Sequence, residues 1–425
     1  MRESWKIVND LRGKNNVSVT SSNLGPDNLN FFYCNIATKL SAKIHYKNDP
    51  RSYLDHVVVA ESFFIAPTNA VELKSIFGDI KNKVASGWDG LSLKIFLALP
   101  IVALRILAEA INTSFVSGVF PACLKRAVIV LIYKGGEYDC PSNFRPIALL
   151  PTLAKVVERL IKVRMVSFLN RLGLLSSQQF GFRESMSTRD AIFGFLEHLY
   201  NNLNDGEVAA AVFCDLSKAF DCVSHRVLLW KLGLYGFRET ALEWFRSYLS
   251  DRVQFVRFNG GTSKDLGIDV GVPQGSVLDP LFFLIYVNDL PQLQITGKFT
   301  IFADDTPIFW HGSDVVEMEA NMRENLVKIK DWCNANFLTF NVSKTNILNF
   351  KCATANICLE SEPITMPTFN KFLSLSIDRS LKFEDHIANV CNKISSGCYA
   401  LRVIAHNLNF SSARFSYFAI IESHL

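Results

Sequence analysis

The stretch GKFTIFADDTPIFWH, Gly297 to His311, sets two adjacent aspartates, Asp304 and Asp305, between two apolar runs. Apolar residues on both sides predict a buried β-hairpin with the double charge at its tip. A two-residue hairpin turn prefers Asn-Gly or Asp-Gly, because its central residues adopt positive φ. Asp-Asp is a poor substitute, and its charges repel. A chain that keeps this pair must fold so that the tip meets solvent or a cation.

A second acidic position answers the first. In EVAAAVFCDLSKAFD, Asp215 closes the apolar strand Val208 to Cys214. Taken alone, a strand-end Asp is as readily a helix cap, and LSKAFD can begin a helix. If the two strands lie side by side in one sheet, three carboxylates converge, and then either their pKa values rise or a divalent metal binds. Carboxylate oxygens suit Mg²⁺, which keeps waters and takes substrate phosphates as further ligands. Two such ions clamp the attacking and leaving oxygens of an in-line phosphoryl transfer. A third stretch, GVPQGSVLDPLFFLIYVNDL (Gly271 to Leu290), opens with a Gly/Pro turn. Gly271 and Gly275 permit close backbone approach to a ligand, although this segment by itself reads as an ordinary turn before a core helix.

The rest of the chain predicts mixed structure. Thr68 to Lys83 has helical apolar spacing (Val71, Ile76, Ile80, Val84), and Ala98 to Val116 reads as a helix closed by Gly118 and Pro121. RAVIVLIYK (Arg126 to Lys134) is a β-branched run followed by Gly135-Gly136, hence a strand and a turn. TLAKVVERLIKVRMVSFLNRLG predicts an amphipathic helix ending at Gly173, and a further helix follows Ser187, with Asp190 at capping-box spacing. Helices and strands alternate without a strict βαβ rhythm, which favours α+β over a doubly wound sheet.

Composition narrows the function classes. At 425 residues the chain has room for two or three lobes. With 49% hydrophobic and 20% charged residues it is globular rather than disordered. The longest apolar stretch, Ile95 to Leu104, is broken by Pro100 and is too short to cross a bilayer, so no membrane partner is expected. Arg2, Glu3 and Lys6 open the chain with no apolar segment behind them, so no secretion leader is expected and the chain reads as intracellular. The ten cysteines are scattered and read as reduced core thiols, not as a disulfide framework or a zinc site. The net charge of +4 says little, but nine bases against three acids fall between Pro121 and Arg171. A basic surface of that kind suits a polyanion, whereas Lys155, Arg159 and Lys162, at helical spacing, also fit a solvated helix face.

These motifs, in this order, resemble the reverse transcriptase domain of non-LTR retrotransposons of the insect jockey-like kind. FADD resembles the family's [YF]-x-D-D hairpin, DLSKAFD its first catalytic motif and GVPQGSVLDP its G-x-P-Q-G motif. KNKVASGWDGLSLKIF, KRAVIVLIYKGGE, NFRPIALLPTLAKVVERLI, LLSSQQFGFRESMST, FNVSKTNILNF and FLSLSIDRSLKFEDHI match as well, from about Thr68 to the C-terminus. The fold this implies is an α+β right-hand polymerase with a ferredoxin-like palm sheet. Residues 1–66 would form an N-terminal extension, 67–205 the fingers with part of the palm, 206–378 the palm with the primer grip, and 379–425 the start of a thumb.

The implied activity is RNA-directed DNA synthesis, with an RNA template, a DNA primer or target, dNTPs and two Mg²⁺ ions, Mn²⁺ being an alternative. By the same resemblance Asp215, Asp304 and Asp305 hold metal, and Lys344 is an acid for the pyrophosphate leaving group. Leu216, Ser217, Lys218 and Ala219 lend amides to the triphosphate, and Phe220 excludes a 2′-hydroxyl by its bulk. Lys134 and Arg145 hold phosphates, Gln274 and Gly275 line the nucleotide pocket, and Phe372, Leu373 and Ser374 form the primer grip. Nothing in the motifs specifies an oligomer.

Departures from the family pattern accompany the likeness. Asp279 and Ser374 stand where glycine is usual, and Met186 interrupts a basic stretch. Pro307 removes an amide from the hairpin's outgoing strand, which is expected only at an edge or a bulge. With no endonuclease domain ahead of the fingers and no Cys/His knuckle behind, the chain reads as a fragment of an element. The alternative to a polymerase is therefore a catalytically inactive remnant that binds nucleic acid through its basic fingers.

Overall fold

The computed structural model describes residues 24–42, 44, 48–54, 59–80, 86–350, 357–359, 362–406 and 408–424. Helix α1 (Pro26–Cys34) starts on a proline, whose fixed φ suits the first helical turn. It buries Leu29, Asn30 and Tyr33, so this part of the expected N-terminal extension is packed into the body of the protein. Helix α2 (Ala70–Asp79) is capped by Asn69, whose side chain accepts from the Val71 and Glu72 amides. It is shorter than the sequence spacing implied, and Lys83 and Val84 lie outside the described residues. Helix α3 (Ile101–Ser117) begins only after Pro100 and ends at Gly118 in the left-handed region.

Two sheets organise the remainder of the chain. Strand β1 (Arg126–Tyr133) pairs antiparallel with β2 (Phe144–Leu149) and parallel with β4 (Arg252–Phe258). Between β2 and β4 in sequence run α4 (Thr152–Arg171), α5 (Thr188–Asn204), β3 (Val208–Cys214), α6 (His225–Leu234) and α7 (Glu239–Leu249). The Ser187–Asp190 capping box starts α5 as the sequence predicts, with both reciprocal bonds formed. Asn30 of α1 and Gln254 of β4 bond each other at 3.0 Å, tying the N-terminal segment to this first sheet. Lys155, Arg159 and Lys162 on α4 are half-buried, not a solvated face. Burial holds the Lys155 and Lys162 pKa values below the usual lysine range.

The second sheet carries the acidic motifs. Helix α8 (Asp279–Val287) precedes the hairpin strands β5 (Lys298–Phe299) and β6 (Thr306–Gly312), and α9 (Val315–Ala335) leads to β7 (Asn346–Phe350). The spatial order is β5-β6-β3-β7, antiparallel throughout. That is the ferredoxin-like arrangement, and the fold is α+β as expected. Strand β3 is central and buried on both faces. Ala210 and Val212 enter the main core, while Ala209, Ala211 and Phe213 meet Phe195 and Leu199 of α5.

Beneath the sheet, the fully buried Lys231 of α6 donates to Asp289 at 2.6 Å and to the Tyr286 carbonyl at 2.5 Å. Asp289 also accepts from Trp332 Nε1 at 2.9 Å, so this ion pair joins α6, α8 and α9. Removing one partner of such a pair costs about 3–5 kcal/mol. Strands β8 (Phe369–Phe372) and β9 (Leu375–Asp378) form a hairpin, followed by α10 (Glu384–Ala405) and α11 (Phe410–Ile420). No described helix is long and apolar enough to cross a membrane. Of the described cysteines only Cys214, Cys222 and Cys333 are buried and Cys123, Cys358, Cys391 and Cys398 are exposed, which corrects the expectation of core thiols.

Candidate active site

Register brings the acids together. Cys214 of β3 pairs with Thr306 of β6, so Asp215 and Asp305 stand opposite each other one step beyond the ladder. On the other side of β3 the chain before β7 folds against the strand exit. The Asn341 amide donates to the Asp215 carbonyl at 2.9 Å, and its Nδ2 donates to Asp215 Oδ2 at 2.7 Å. The LSKAFD segment does not begin an α-helix; it makes only a short 3-10 turn at Ala219–Cys222, after Lys218 in the left-handed region.

The hairpin turn is not centred on Asp-Asp. Phe302 and Asp305 exchange both backbone hydrogen bonds, so Ala303 and Asp304 are the central pair, and Ala303 has φ +59°. Pro307 lies in β6, between β5 and β3, and so in an interior strand rather than at an edge. Its carbonyl accepts from Thr300 at 3.0 Å, but proline has no N–H to return that bond. The ladder therefore opens between Phe299 and Phe302, whose pairing with Asp305 is an isolated bridge. The opened strand finds a partner on its other side, where Ile301 donates to the Gln178 carbonyl at 2.8 Å.

Both turn carboxylates reach solvent, but the surrounding chain limits their hydration. Asp305 is pushed up to about 6, first by that desolvation and then by repulsion from Asp304 and Asp215. Asp304 is raised for the same first reason and by Asp215, while Arg145 opposes the rise. Among the described residues no three His, Cys, Asp or Glu side chains are gathered tightly enough to hold a metal ion. Asp215 repels both turn carboxylates, and a bound cation would relieve that repulsion. The donor set, all carboxylate oxygen, suits a hard divalent ion.

Bases from separate elements gather near Lys134, and one of them, Arg145, acts on Asp304. Lys134 follows β1 and Arg145 lies on β2, both exposed. Desolvation and the charges of Lys218, Arg145 and Lys344 lower the Lys134 pKa, which places the four cations around one region. Three other bases of the Pro121–Arg171 segment are paired elsewhere, Arg126 with Asp265, Arg164 with Glu72 and Arg171 with Glu61.

The loop before α8 seals the floor. Gln274 Nε2 donates to Asp221 Oδ1 at 2.8 Å, and the Gln274 carbonyl accepts from Ala148 of β2 at 2.7 Å. Gly275 has φ +109°, and a Cβ there would come within 3.0 Å of the Ala148 carbonyl. Phe220 stacks on Phe283 of α8 with ring centroids 4.3 Å apart, and Phe182 approaches it edge-on. Leu216 is buried, Ala219 is buried, and the Ser217 amide is already committed to the Thr339 carbonyl at 2.9 Å. That amide is therefore not among those directed at a phosphate.

Phe372 packs against Phe195 and Phe213, so its ring anchors the β8–β9 turn instead of lining a cleft. Leu373 and Ser374 both have positive φ in that turn, which explains glycine as the usual residue at the second position. Three contributors went unassigned in the sequence: Asn341, Asp221 and Gln179. Asn341 and Gln179 lie in stretches that match the family, and Asp221 ends DLSKAFD itself; spacing alone gave them no role.

The sequence pattern described as "Reverse transcriptase (RNA-dependent DNA polymerase)" matches residues 132–377. Two Drosophila melanogaster relatives are similar over much of the chain. The "Probable RNA-directed DNA polymerase from transposon X-element" is 29% identical over 78% of this chain and 37% of its own length. The "RNA-directed DNA polymerase from mobile element jockey" is 29% identical over 76% of this chain and 37% of its own length. The chain thus spans just over a third of these relatives. Apo telomerase from Candida tropicalis, truncated from its C-terminal domain, superposes with TM-score 0.43 at 15% identity, covering 69% of this chain and 60% of that one.

Proposed function

The chain belongs to the reverse transcriptase (RNA-dependent DNA polymerase) family, in the form carried by insect non-LTR, jockey-like retrotransposons, and from that premise we propose that it extends a DNA 3′-hydroxyl on an RNA template with dNTPs. The observation that carries this reading is the register that sets Asp215 opposite Asp305 at the end of the second sheet, with Arg145 acting on Asp304 and, together with Lys218 and Lys344, on Lys134. Acids alone would hold a cation and bases alone an anion. Both together suit a metal–triphosphate complex.

In this reading 67–205 form the fingers with part of the palm, 206–378 the palm and 379–425 the start of the thumb. Asp215, Asp304 and Asp305 would hold two Mg²⁺ ions, or Mn²⁺ in their place. Bound there, such ions supply Lewis-acid activation of the 3′-hydroxyl and charge neutralisation at the leaving group. Arg145 grips the β- and γ-phosphates as a fork and Lys134 as a point charge. Lys218 and Lys344 add positive potential where pyrophosphate departs, and Lys344 is the acid that protonates it. Phe220, fixed by Phe283, excludes a 2′-hydroxyl by bulk. Gln274 spends one amide N–H on Asp221 and offers its second N–H and side-chain carbonyl to the pocket. The β8–β9 turn at Leu373 and Ser374 supports the primer end.

With Asp279, Pro307 and Ser374 in the chain, β3 and β6 still pair through Cys214 and Thr306, so that Asp215 and Asp305 stand opposite each other, which supports an active polymerase over an inactive remnant. Primer extension on an RNA template with Mg²⁺ tests the reading. Asp304→Ala is expected to lower the rate by roughly 10³-fold. Equal extension by wild type and variant would overturn it, and salt-sensitive RNA binding without extension would establish the remnant reading instead.

A further inference from the structure

The turn that aims the acids is held from outside the sheet. Gln179, only 2% exposed, lies in the segment between α4 and α5. Its Oε1 accepts from the Ala303 amide at 3.2 Å and from the Gly181 amide at 2.9 Å. Its Nε2 is buried without a hydrogen-bond partner. A buried amide that leaves its donor unpaired is held there for its acceptor. The backbone also fits only one way, because a Cβ on Gly181 would lie 2.4 Å from the Ala303 nitrogen.

The neighbouring residues lie beside the hairpin and join it through an isolated bridge between Gln179 and Ile301. Gln178 accepts from Ile301 through its carbonyl and from Phe299 through its side chain, and Phe180 donates to the Ile301 carbonyl. The segment itself is fixed independently of the hairpin. Asn288, just after α8, accepts from the Ser176 amide at 2.8 Å and donates to the Leu174 carbonyl at 2.7 Å. Arg183 Nη1 donates to the Ser176 and Gln179 carbonyls. An alanine at positive φ is intrinsically disfavoured, and at Ala303 the Gln179 acceptor is what rewards it.

We propose that Gln179 is a positioning residue for the polymerase reaction, fixing the left-handed conformation of Ala303 and thereby the direction in which Asp304 and Asp305 face Asp215. The proposal rests on the polymerase reading of this hairpin. It predicts an effect on the turn that a general packing role would not produce. Amide hydrogen exchange in the metal-free chain reads the turn directly. Gln179→Ala is expected to speed exchange at Ala303 by at least roughly tenfold while leaving Val212 in the central ladder unchanged. Primer extension should then slow by about 10–100-fold in kcat, with little change in the KM for dNTP.

Adding Ala303→Gly to Gln179→Ala removes the penalty for positive φ and should restore most of that rate. Unchanged exchange at Ala303, or equal acceleration at Ala303 and Val212, overturns the proposal. So does a loss of extension that Ala303→Gly does not recover. If wild type itself extends no primer, the polymerase reading fails. Mn²⁺ binding, followed by its effect on water relaxation, then decides the clamp separately: weaker binding by Gln179→Ala supports it, and equal binding overturns it.

Discussion

Two groups of three carboxylates lie in this molecule and are held in opposite ways. Asp215, Asp304 and Asp305 stand where β3 and the β5–β6 hairpin end, with both turn side chains reaching solvent. Glu158, Asp221 and Asp279 lie under the loop before α8, and burial is the first cause of a raised pKa in each. In the enclosed group, partner supply differs from acid to acid. Glu158 accepts from the Tyr248 hydroxyl at 2.9 Å and the Val277 amide at 2.6 Å, in the field of Arg252 and Lys155. Asp221 accepts from Gln274 and lies in the fields of Lys218 and Lys134. Asp279 has the Gly275 amide, an unpartnered Oδ1 and the other two acids as neighbours, and its pKa is pushed to about 8, first by burial. The open group reaches solvent, where a substrate complex can bring further counter-charge; the enclosed group must be neutralised by the protein itself. The same functional group thus meets solvent in one place and the protein interior in the other.

Folding stability should separate the two groups most sharply. Glu158→Ala strands the Tyr248 hydroxyl and the Val277 amide, and is expected to cost about 2–4 kcal/mol in denaturant unfolding. Asp304→Ala, for all its expected effect on extension, should change stability by less than about 0.5 kcal/mol. A large loss in the second variant would erase the distinction.

The pH dependence of Asp279 sharpens it further. Its folded pKa of about 8 lies above the ordinary aspartate value of 3.8, so its contribution is fully present below about pH 4 and is lost as pH rises through 8. Asp279→Asn removes that loss while keeping the shape. The variant should gain on wild type by roughly 3 kcal/mol more at pH 8 than at pH 5, read from paired unfolding curves. A pH-independent difference would show that Asp279 is hydrated.

The smallest effect concerns the open group. In the metal-free chain, carbonyl NMR should find Asp305 titrating near pH 6. A divalent cation should lower that midpoint to below about 5, releasing a proton on binding, so that affinity strengthens as pH rises through 6. A midpoint unmoved by Mn²⁺ would mean that Asp305 does not face the ion.

Much of the local structure is legible in the sequence because its causes are local. The β-branched run gives β1, the Ser187–Asp190 spacing gives the α5 cap, and the apolar run Val208–Cys214 gives β3 with the same ends. The departures share one cause. The turn centre differs from the sequence expectation because the φ of Ala303 is secured by Gln179, 124 residues away. Pro307 is expected at an edge because nothing local shows that the strand opened at Thr300 finds Gln178 on its other side. Helix α1 has no clear local signal because its buried face is completed by β4, more than two hundred residues later.

The sequence by itself therefore determined the element types, the family and the identity of the acids and bases, all of which depend on short-range pattern and residue chemistry. Only the tertiary structure decided which charges meet and which of them stay ionised. It set the register that puts Asp215 across from Asp305, the Gln179 acceptor that meets the Ala303 amide and the enclosure that leaves Asp279 without a cation. Those outcomes depend on desolvation and on distance between groups far apart in the chain, and both are properties of packing.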